Sequence, residues 1–113
     1  MTTLPHIDWE LSVQLAANKP LVAKELLGML VDQLPSDLAE MEQAYQQQAW
    51  QQLEDLAHRC HGGVCYVGVP RLKQAAKTLE NLLKAQQIAD AEAAFVEFKA
   101  AVEGILAESG EYV

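Results

Sequence analysis

The 113-residue sequence has no long hydrophobic run, although half of its residues are hydrophobic. No apolar stretch approaches the roughly 20 residues that a membrane-spanning helix needs, and the N-terminus lacks the basic, apolar and small-residue succession of a signal peptide. Cysteine is also scarce. Cys60 and Cys65 lie five positions apart on one predicted helix and would point roughly 140° apart, so a disulfide between them is not expected. These absences predict reduced thiols, no membrane contact and a cytoplasmic location.

Positive charge is the next scarcity, with eight Lys and Arg residues against sixteen Asp and Glu residues and a net charge of −8. This balance argues against a nucleic-acid partner. The basic residues are concentrated between His58 and Lys84, where Glu80 is the only acidic residue. Lys73, Lys77 and Lys84 share one face of a predicted helix, and we expect Lys77 to lie roughly level with His58. The alternative interpretation of this face is a solvated helix surface.

Sequence motifs for nucleotide binding and hydrolysis are missing as well. No glycine-rich phosphate loop is present, so we expect no kinase activity from this chain itself. Zinc ligands could be sought among His58, Cys60, His61 and Cys65. Structural zinc needs four converging ligands, whereas Cys60 is predicted to pack in the core and His58 to point away from it. We therefore expect no metal in this chain, with a metal-binding bundle kept as an alternative.

The chain does contain repeated helical periodicity, with apolar residues three and four positions apart. Asp8 is the predicted N-cap of a short first helix, and Pro35 should kink or split the second. His6 is expected to be solvated, whereas Trp9 and Trp50 should anchor helix ends to the core. The stripes predict a short helix over 7–15 and longer helices over 20–46, 49–67, 72–83 and 88–105. This all-α pattern with short connections predicts an antiparallel four-helix bundle with a short additional N-terminal helix, in one domain over 1–113 with its core at about 8–107.

The third predicted helix holds His58 on the side away from its apolar stripe. His58 lies roughly 140° from the centre of that stripe and should face solvent. Each of Gly62 and Gly63 costs a helix about 1 kcal/mol relative to Ala, which suggests that a partner approaches closely there. We predict that the helix continues to Val67, with an end or bend at Gly62-Gly63 as the alternative. The stripe itself consists of Leu53, Leu56, Ala57, Cys60, Val64 and Val67.

These residues resemble the signature of histidine phosphotransfer (HPt) domains. That signature is a histidine, a Lys-Gly pair three residues later, a second glycine six residues on and an apolar helix. It is most similar to the HPt domain that ends GacS/BarA-type hybrid sensor kinases. The likeness in helix pattern covers about 8–107, but the motif covers only 58–72. Here the motif reads His58, His61-Gly62, Cys65-Tyr66, Gly68-Val69-Pro70-Arg71 and Leu72, with His61 in place of the usual lysine.

The resemblance implies a phosphorelay carrier in which His58 accepts a phosphoryl group from a receiver-domain aspartate, through Nε2, and passes it to a response-regulator aspartate. Neutral imidazole, with an ordinary pKa of about 6.5, is nucleophilic near neutral pH. The resemblance further implies that Mg²⁺ binds to the receiver and that this chain holds no cofactor. We expect the chain to be a monomer and to form the cytoplasmic end of a membrane-anchored kinase. A non-catalytic helical docking module or inhibitor of a receiver is the alternative. The predicted docking residues are Arg59, His61, Gly62, Cys65, Lys73 and Lys77.

Overall fold

The computed structural model describes residues 4–113, and all regular structure in this part of the chain is helical. The predicted all-α class is therefore confirmed. A short 3-10 turn, Ser109–Glu111, follows the last helix. The α-helices are α1 (Trp9–Leu15), α2 (Pro20–Gln46), α3 (Trp50–Gly63), α4 (Pro70–Lys84) and α5 (Ile88–Glu108).

Helices α2 to α5 form the bundle. Each packs against two others, because α2 contacts α3, α3 contacts α4, α4 contacts α5, and α5 returns to α2. The connections at 47–49, 64–69 and 85–87 are short, so successive helices run antiparallel. Among the helices of residues 4–113, none is both long and apolar enough to cross a bilayer. The largest fully buried apolar side chains include Leu27, Leu34, Met41, Leu53, Leu72, Leu79, Phe98 and Ile105.

Helix α2 begins at Pro20, which fits the first helical turn because a proline there gives up no intrahelical hydrogen bond. The helix continues through Pro35 to Gln46, so of the two predicted effects of Pro35, a kink or a split, the split does not occur. Pro35 is exposed, whereas Leu34 and Met41 are buried. The burial of these side chains holds the helix against the bundle on both sides of the lost hydrogen bond.

Helix α3 ends at Gly63, so the prediction that it continues to Val67 is wrong. Val64 is its C-cap and donates its backbone N–H to the carbonyl of Cys60 at 3.1 Å. Val64 and Val67 are nevertheless buried, because the turn after α3 folds both side chains into the core. The helical spacing therefore predicted correctly that both valines are buried, although their backbone is not helical. Gly68 consequently does not cap α3.

Gly68 instead joins α1 to the connection between α3 and α4. The N–H of Asp8 donates to the carbonyl of Gly68 at 2.8 Å, and the N–H of Gly68 donates to Ser12 Oγ at 2.7 Å. A Cβ atom at position 68 would overlap the Asp8 carbonyl oxygen, which explains the glycine. Asp8 is also the N-cap that we predicted, accepting from the N–H of Leu11 at 3.0 Å.

The segment before α1 is tied to the bundle, so the prediction that His6 is solvated is wrong. The Nε of Arg71 donates to the Leu4 carbonyl at 2.7 Å, and Arg71 Nη1 lies 3.1 Å from His6 Nε2. A Cβ on Gly104 would overlap the His6 ring, so this glycine makes room for the imidazole on α5. The segment is thereby held between α4 and α5.

Both tryptophans lie at helix ends and pack against the core, which confirms their predicted anchoring role. Trp9 stacks on Tyr112 with ring centroids 5.3 Å apart, and Trp50 meets the edge of Tyr45 at 5.8 Å.

Candidate functional site

His58 lies near the middle of α3 on the face turned away from the core. Its side chain is 71% exposed, whereas the neighbouring Ala57 is fully buried. The exposure expected from the helical spacing is therefore confirmed. Three apolar residues of the stripe, Leu53, Leu56 and Ala57, hold this helix in the bundle. His58 contributes to none of that packing, which leaves its ring free for another role.

Glu80 of α4 holds the His58 ring from below. Its side chain is 1% exposed, and its Oε2 lies 2.6 Å from His58 Nδ1. The carboxylate occupies a core position because Leu72, Ala76, Leu79, Glu80 and Leu83 share the buried face of α4. The antiparallel packing of α3 and α4 then brings it beneath the ring. A buried carboxylate thus takes the place of an apolar side chain on the buried face of α4.

The same oxygen of Glu80 also receives Lys84, whose Nζ lies 3.0 Å from Oε2. Burial alone would raise the pKa of Glu80, but hydrogen bonds from Lys84 and His58 and their positive charge hold it below its ordinary value. The bond to Glu80 likewise raises the pKa of Lys84. The other carboxylate oxygen, Oε1, is buried and meets no hydrogen-bond partner within residues 4–113. Glu80 is therefore an ionised carboxylate, and both of its hydrogen-bond donors reach Oε2.

This geometry fixes the tautomer of the His58 ring. An ionised carboxylate can only accept hydrogen bonds, so Nδ1 must carry the hydrogen that Glu80 receives. In the neutral ring the lone pair then resides on Nε2, the ring nitrogen not engaged by Glu80. The site can therefore present a nucleophilic nitrogen to a partner while a fixed negative charge lies behind the ring.

Gly62 lies one helical turn from His58 and is exposed. A Cβ atom at Gly62 or at Gly63 would meet nothing within 4 Å, so the fold itself does not require either glycine. The glycines keep the surface low beside His58. The low surface favours the close approach of a partner, as the two glycines suggested in the sequence.

Four of the predicted docking residues come together on the α1 side of α4. His61, Cys65, Lys73 and Lys77 line a depression that also contains Leu11 and Leu15 from α1. The thiol of Cys65 donates to the His61 carbonyl at 3.2 Å. The depression combines an apolar lining with basic side chains. Docking by these residues stays a prediction.

Arg59 is separated from this group. Its guanidinium lies 3.7 Å from Glu40 of α2, and it lines the groove between α2 and α3 together with Cys60 and Tyr66. Cys60 packs against the core as predicted, and burial, followed by the charge of Asp37, raises the pKa of its thiol to about 12. Cys60 is therefore an unreactive thiol near neutral pH.

Glu80 and Lys84 are the site residues whose roles the sequence analysis missed. Glu80 was counted only as an isolated negative charge, although its position on the apolar stripe of α4 marked it as a buried carboxylate. Lys77 was expected roughly level with His58, but the side chain of α4 that contacts His58 is Glu80, which also binds Lys84 one turn further on. Within residues 4–113, no three His, Cys, Asp or Glu side chains are grouped to hold a metal ion.

Comparison with known proteins agrees with this arrangement. The Hpt domain family model matches residues 25–108. The signal transduction histidine-protein kinase BarA of Escherichia coli is 36% identical over 78 residues, 69% of this chain and 8% of the kinase. The sensor histidine kinase GacS of Pseudomonas protegens is 35% identical over 106 residues, 94% of this chain and 12% of that kinase. The chain therefore spans only a small part of the length of these relatives.

A solved structure covers the domain itself. The crystal structure of the HPT domain from an Hpt sensor hybrid histidine kinase of Shewanella matches with a TM-score of 0.86 and 27% identity. The match covers 94% of this chain and 92% of that one. Given the helical bundle, the exposed histidine and these matches, the chain belongs to the Hpt domain family, the histidine phosphotransfer domains found in hybrid histidine kinases of two-component signalling.

Proposed function

We propose that His58 is the phosphoryl carrier of this domain, accepting the group from an aspartyl phosphate on one receiver domain and donating it to an aspartate on another. The observation that carries this proposal is the hydrogen bond between His58 Nδ1 and Glu80, 2.6 Å long, on a ring that is 71% exposed. It reserves Nε2 for reaction and leaves the ring accessible. Phosphoryl transfer depends mainly on positioning and charge stabilisation, and this site offers both.

The accepting step needs no proton transfer. The Nε2 lone pair attacks phosphorus, and the Nε2–P bond forms while the bond from phosphorus to the aspartate oxygen breaks. The aspartate carboxylate leaves with the bonding electrons, and Nδ1 keeps its hydrogen. The ring becomes positively charged beside the Glu80 carboxylate, which stabilises it as the carboxylate of a Ser-His-Asp triad stabilises its imidazolium.

The donating step uses the same charge distribution in reverse. When the carboxylate of the second receiver attacks phosphorus, the Nε2–P bond breaks and its electrons return to Nε2. Because Nδ1 still carries its hydrogen, the group that leaves is a neutral imidazole. Glu80 therefore serves both directions of transfer without changing its own protonation.

The receiver domains would supply what this chain does not provide. Mg²⁺ and the acidic residues that bind it are expected in the receiver, as the likeness to Hpt domains implies. The depression lined by His61, Cys65, Lys73 and Lys77 adjoins the last turn of α3 and forms our proposed docking surface. Gly62 lies next to His61 on that turn, and Arg59 would contact the receiver from the α2 side of α3. We place the domain as a monomer in the cytoplasm, serving the receivers of a hybrid kinase and of a response regulator.

Transfer of radiolabelled phosphoryl from a phosphorylated receiver tests the proposal. The native chain should acquire label that is lost in acid, since phosphohistidine is acid-labile. The His58→Gln variant should acquire none, and His6→Gln should be labelled like the native chain. Stable binding of the receiver without labelling would instead identify a docking module, and equal labelling of His58→Gln would place the carrier elsewhere.

A further inference from the structure

Lys84 lies close to His58 because both side chains donate to one oxygen atom of Glu80. Lys84 Nζ is 3.0 Å from Glu80 Oε2, and His58 Nδ1 is 2.6 Å from the same atom. The ammonium and the imidazole are therefore within two hydrogen-bond lengths of each other. Lys84 is 54% exposed, so its head can move without disturbing the core.

A phosphoryl group on His58 changes the charge balance around this oxygen. It brings a charge of about −1.5 to −2 near neutral pH, while the ring to which it is bound becomes positive. The ring then replaces Lys84 as the cation that Glu80 needs. One exposed and flexible ammonium is thereby released next to the residue that has gained a negative group.

Five of the other cations are engaged elsewhere or line a different surface. Arg59 and Lys99 lie 3.7 Å and 3.4 Å from glutamates of α2, and Arg71 holds the Leu4 carbonyl. Lys73 and Lys77 line the depression on the α1 side of α4. The negative charge of Glu54 on α3 adds to that of Glu80 in raising the pKa of Lys84, so Lys84 stays charged beside this helix.

The geometry points to Lys84 as a phosphoryl-binding residue, whose ammonium moves from Glu80 to the phosphoryl oxygens when His58 is phosphorylated. This inference rests on the proposed function of His58. It assigns the charge that the usual lysine would supply to a residue of α4, since position 61 holds a histidine. Lys84 would act on the phosphoryl group directly, whereas Glu80 acts on the ring.

Titration of the phosphoryl group by ³¹P NMR tests this inference on the 113-residue chain, phosphorylated with phosphoramidate. A bound ammonium favours the dianion, so Lys84→Gln should move the phosphoryl midpoint to higher pH by about 0.3 units, a roughly twofold change in proton affinity. Lys84→Arg should restore the native midpoint. Lys99→Gln removes a lysine from a comparable ion pair and should leave the midpoint unchanged.

The outcomes separate the two proposals. If the native chain gives no phosphohistidine signal, or His58→Gln gives the same signal, the carrier role of His58 is wrong and the role of Lys84 falls with it. If the signal is present but has the same midpoint in the native and Lys84→Gln chains, only the role of Lys84 is overturned. A midpoint that moves in Lys77→Gln and not in Lys84→Gln would also overturn it, by assigning the contact to Lys77.

Discussion

Glu80 places a buried negative charge behind the His58 ring, and its position has a cost in stability. Removing a carboxylate from water is expensive unless its oxygens are well satisfied. Here Oε2 receives two donors, while the buried Oε1 receives none from residues 4–113. A group retained under these conditions is better explained by its effect on His58 than by its effect on folding.

Replacing Glu80 with leucine should therefore separate stability from activity. The apolar side chain suits the buried face of α4, so the unfolding free energy of Glu80→Leu should equal or exceed that of the native chain, to within about 1 kcal/mol. Phosphoryl acceptance should fall by roughly tenfold or more, because the ring loses both its fixed tautomer and its counter-charge. Urea unfolding and initial rates of labelling measure the two effects. Unchanged labelling would show that His58 does not depend on the carboxylate.

The lowered pKa of Glu80 predicts how its contribution to stability depends on pH. A carboxyl group whose pKa is lower in the folded than in the unfolded protein stabilises the fold when both states are ionised. That contribution is lost as pH falls from the ordinary glutamate range through the lower folded value. The native chain should therefore lose more of its unfolding free energy than Glu80→Gln between about pH 6 and pH 3. Parallel urea-unfolding profiles for the two proteins would contradict the lowered pKa.

At this scale the sequence predicted His58 but not its partner. The exposure of His58 followed from the phase of a single helix, which periodicity defines well. The contact with Glu80 depends on the relative position of two helices, and an equal count from the turn between them indicated Lys77 as the level of His58. Where α3 and α4 meet depends on the conformation of the turn at 64–69, which a sequence pattern cannot specify.

Helix α3 shows what periodicity does and does not determine at the level of an element. The members of the stripe from Leu53 to Val67 are buried, except for Cys60, which is partly buried, yet the helix ends at Gly63. Burial depends on where a side chain points, and residues of a turn can point into the core at the same sequence spacing as residues of a helix. The glycines at the end of α3 favoured termination locally, and the valines that follow reach the core from the turn.

Gly62 provides the prediction that belongs to this element. Because it is helical, lacks a positive φ and has open space around its Cβ direction, Gly62→Ala should stabilise the domain by up to about 1 kcal/mol. Gly62→Leu should fold as well but slow labelling of His58 by a receiver, since its side chain would project beside the ring. Thermal unfolding and labelling rates check the pair.

Gly110 supplies the control for this experiment. It also has open space around it but lies in the 3-10 turn after α5, so Gly110→Leu should be labelled at the native rate. A Gly62→Leu protein that is labelled equally fast would mean that the receiver does not approach over the last turn of α3.

Across the whole molecule, most of the surface is acidic, whereas Lys73 and Lys77 form a basic strip on α4. The chain has a net charge of −8, yet Lys73 and Lys77 lie together on α4 beside the last turn of α3. Such a division orients a charged partner as it approaches and affects the rate of association more than the final affinity. The bundle itself followed from the sequence, because four amphipathic helices with short connections have few other ways to bury their stripes.

Charge reversal at Lys77 tests the role of the strip. Lys77→Glu should lower the rate of receiver association roughly threefold to tenfold at low ionic strength, and the difference should shrink as the Debye length falls to about 8 Å near physiological salt. Lys24→Glu makes the same change in net charge on α2, away from the depression, and should have a smaller effect. Equal rates for both variants at every salt concentration would leave the strip as an ordinary solvated surface.

If Glu80 occupies Nδ1 of His58, the phosphoryl group of the proposed carrier must be attached to Nε2. NMR of the chain carrying ¹⁵N-labelled histidine, before and after phosphorylation, measures this directly. We expect that Nδ1 of His58 carries the hydrogen in the free protein and that only Nε2 acquires a coupling to ³¹P. Coupling of phosphorus to Nδ1, or to a nitrogen of His6 or His61, would contradict it.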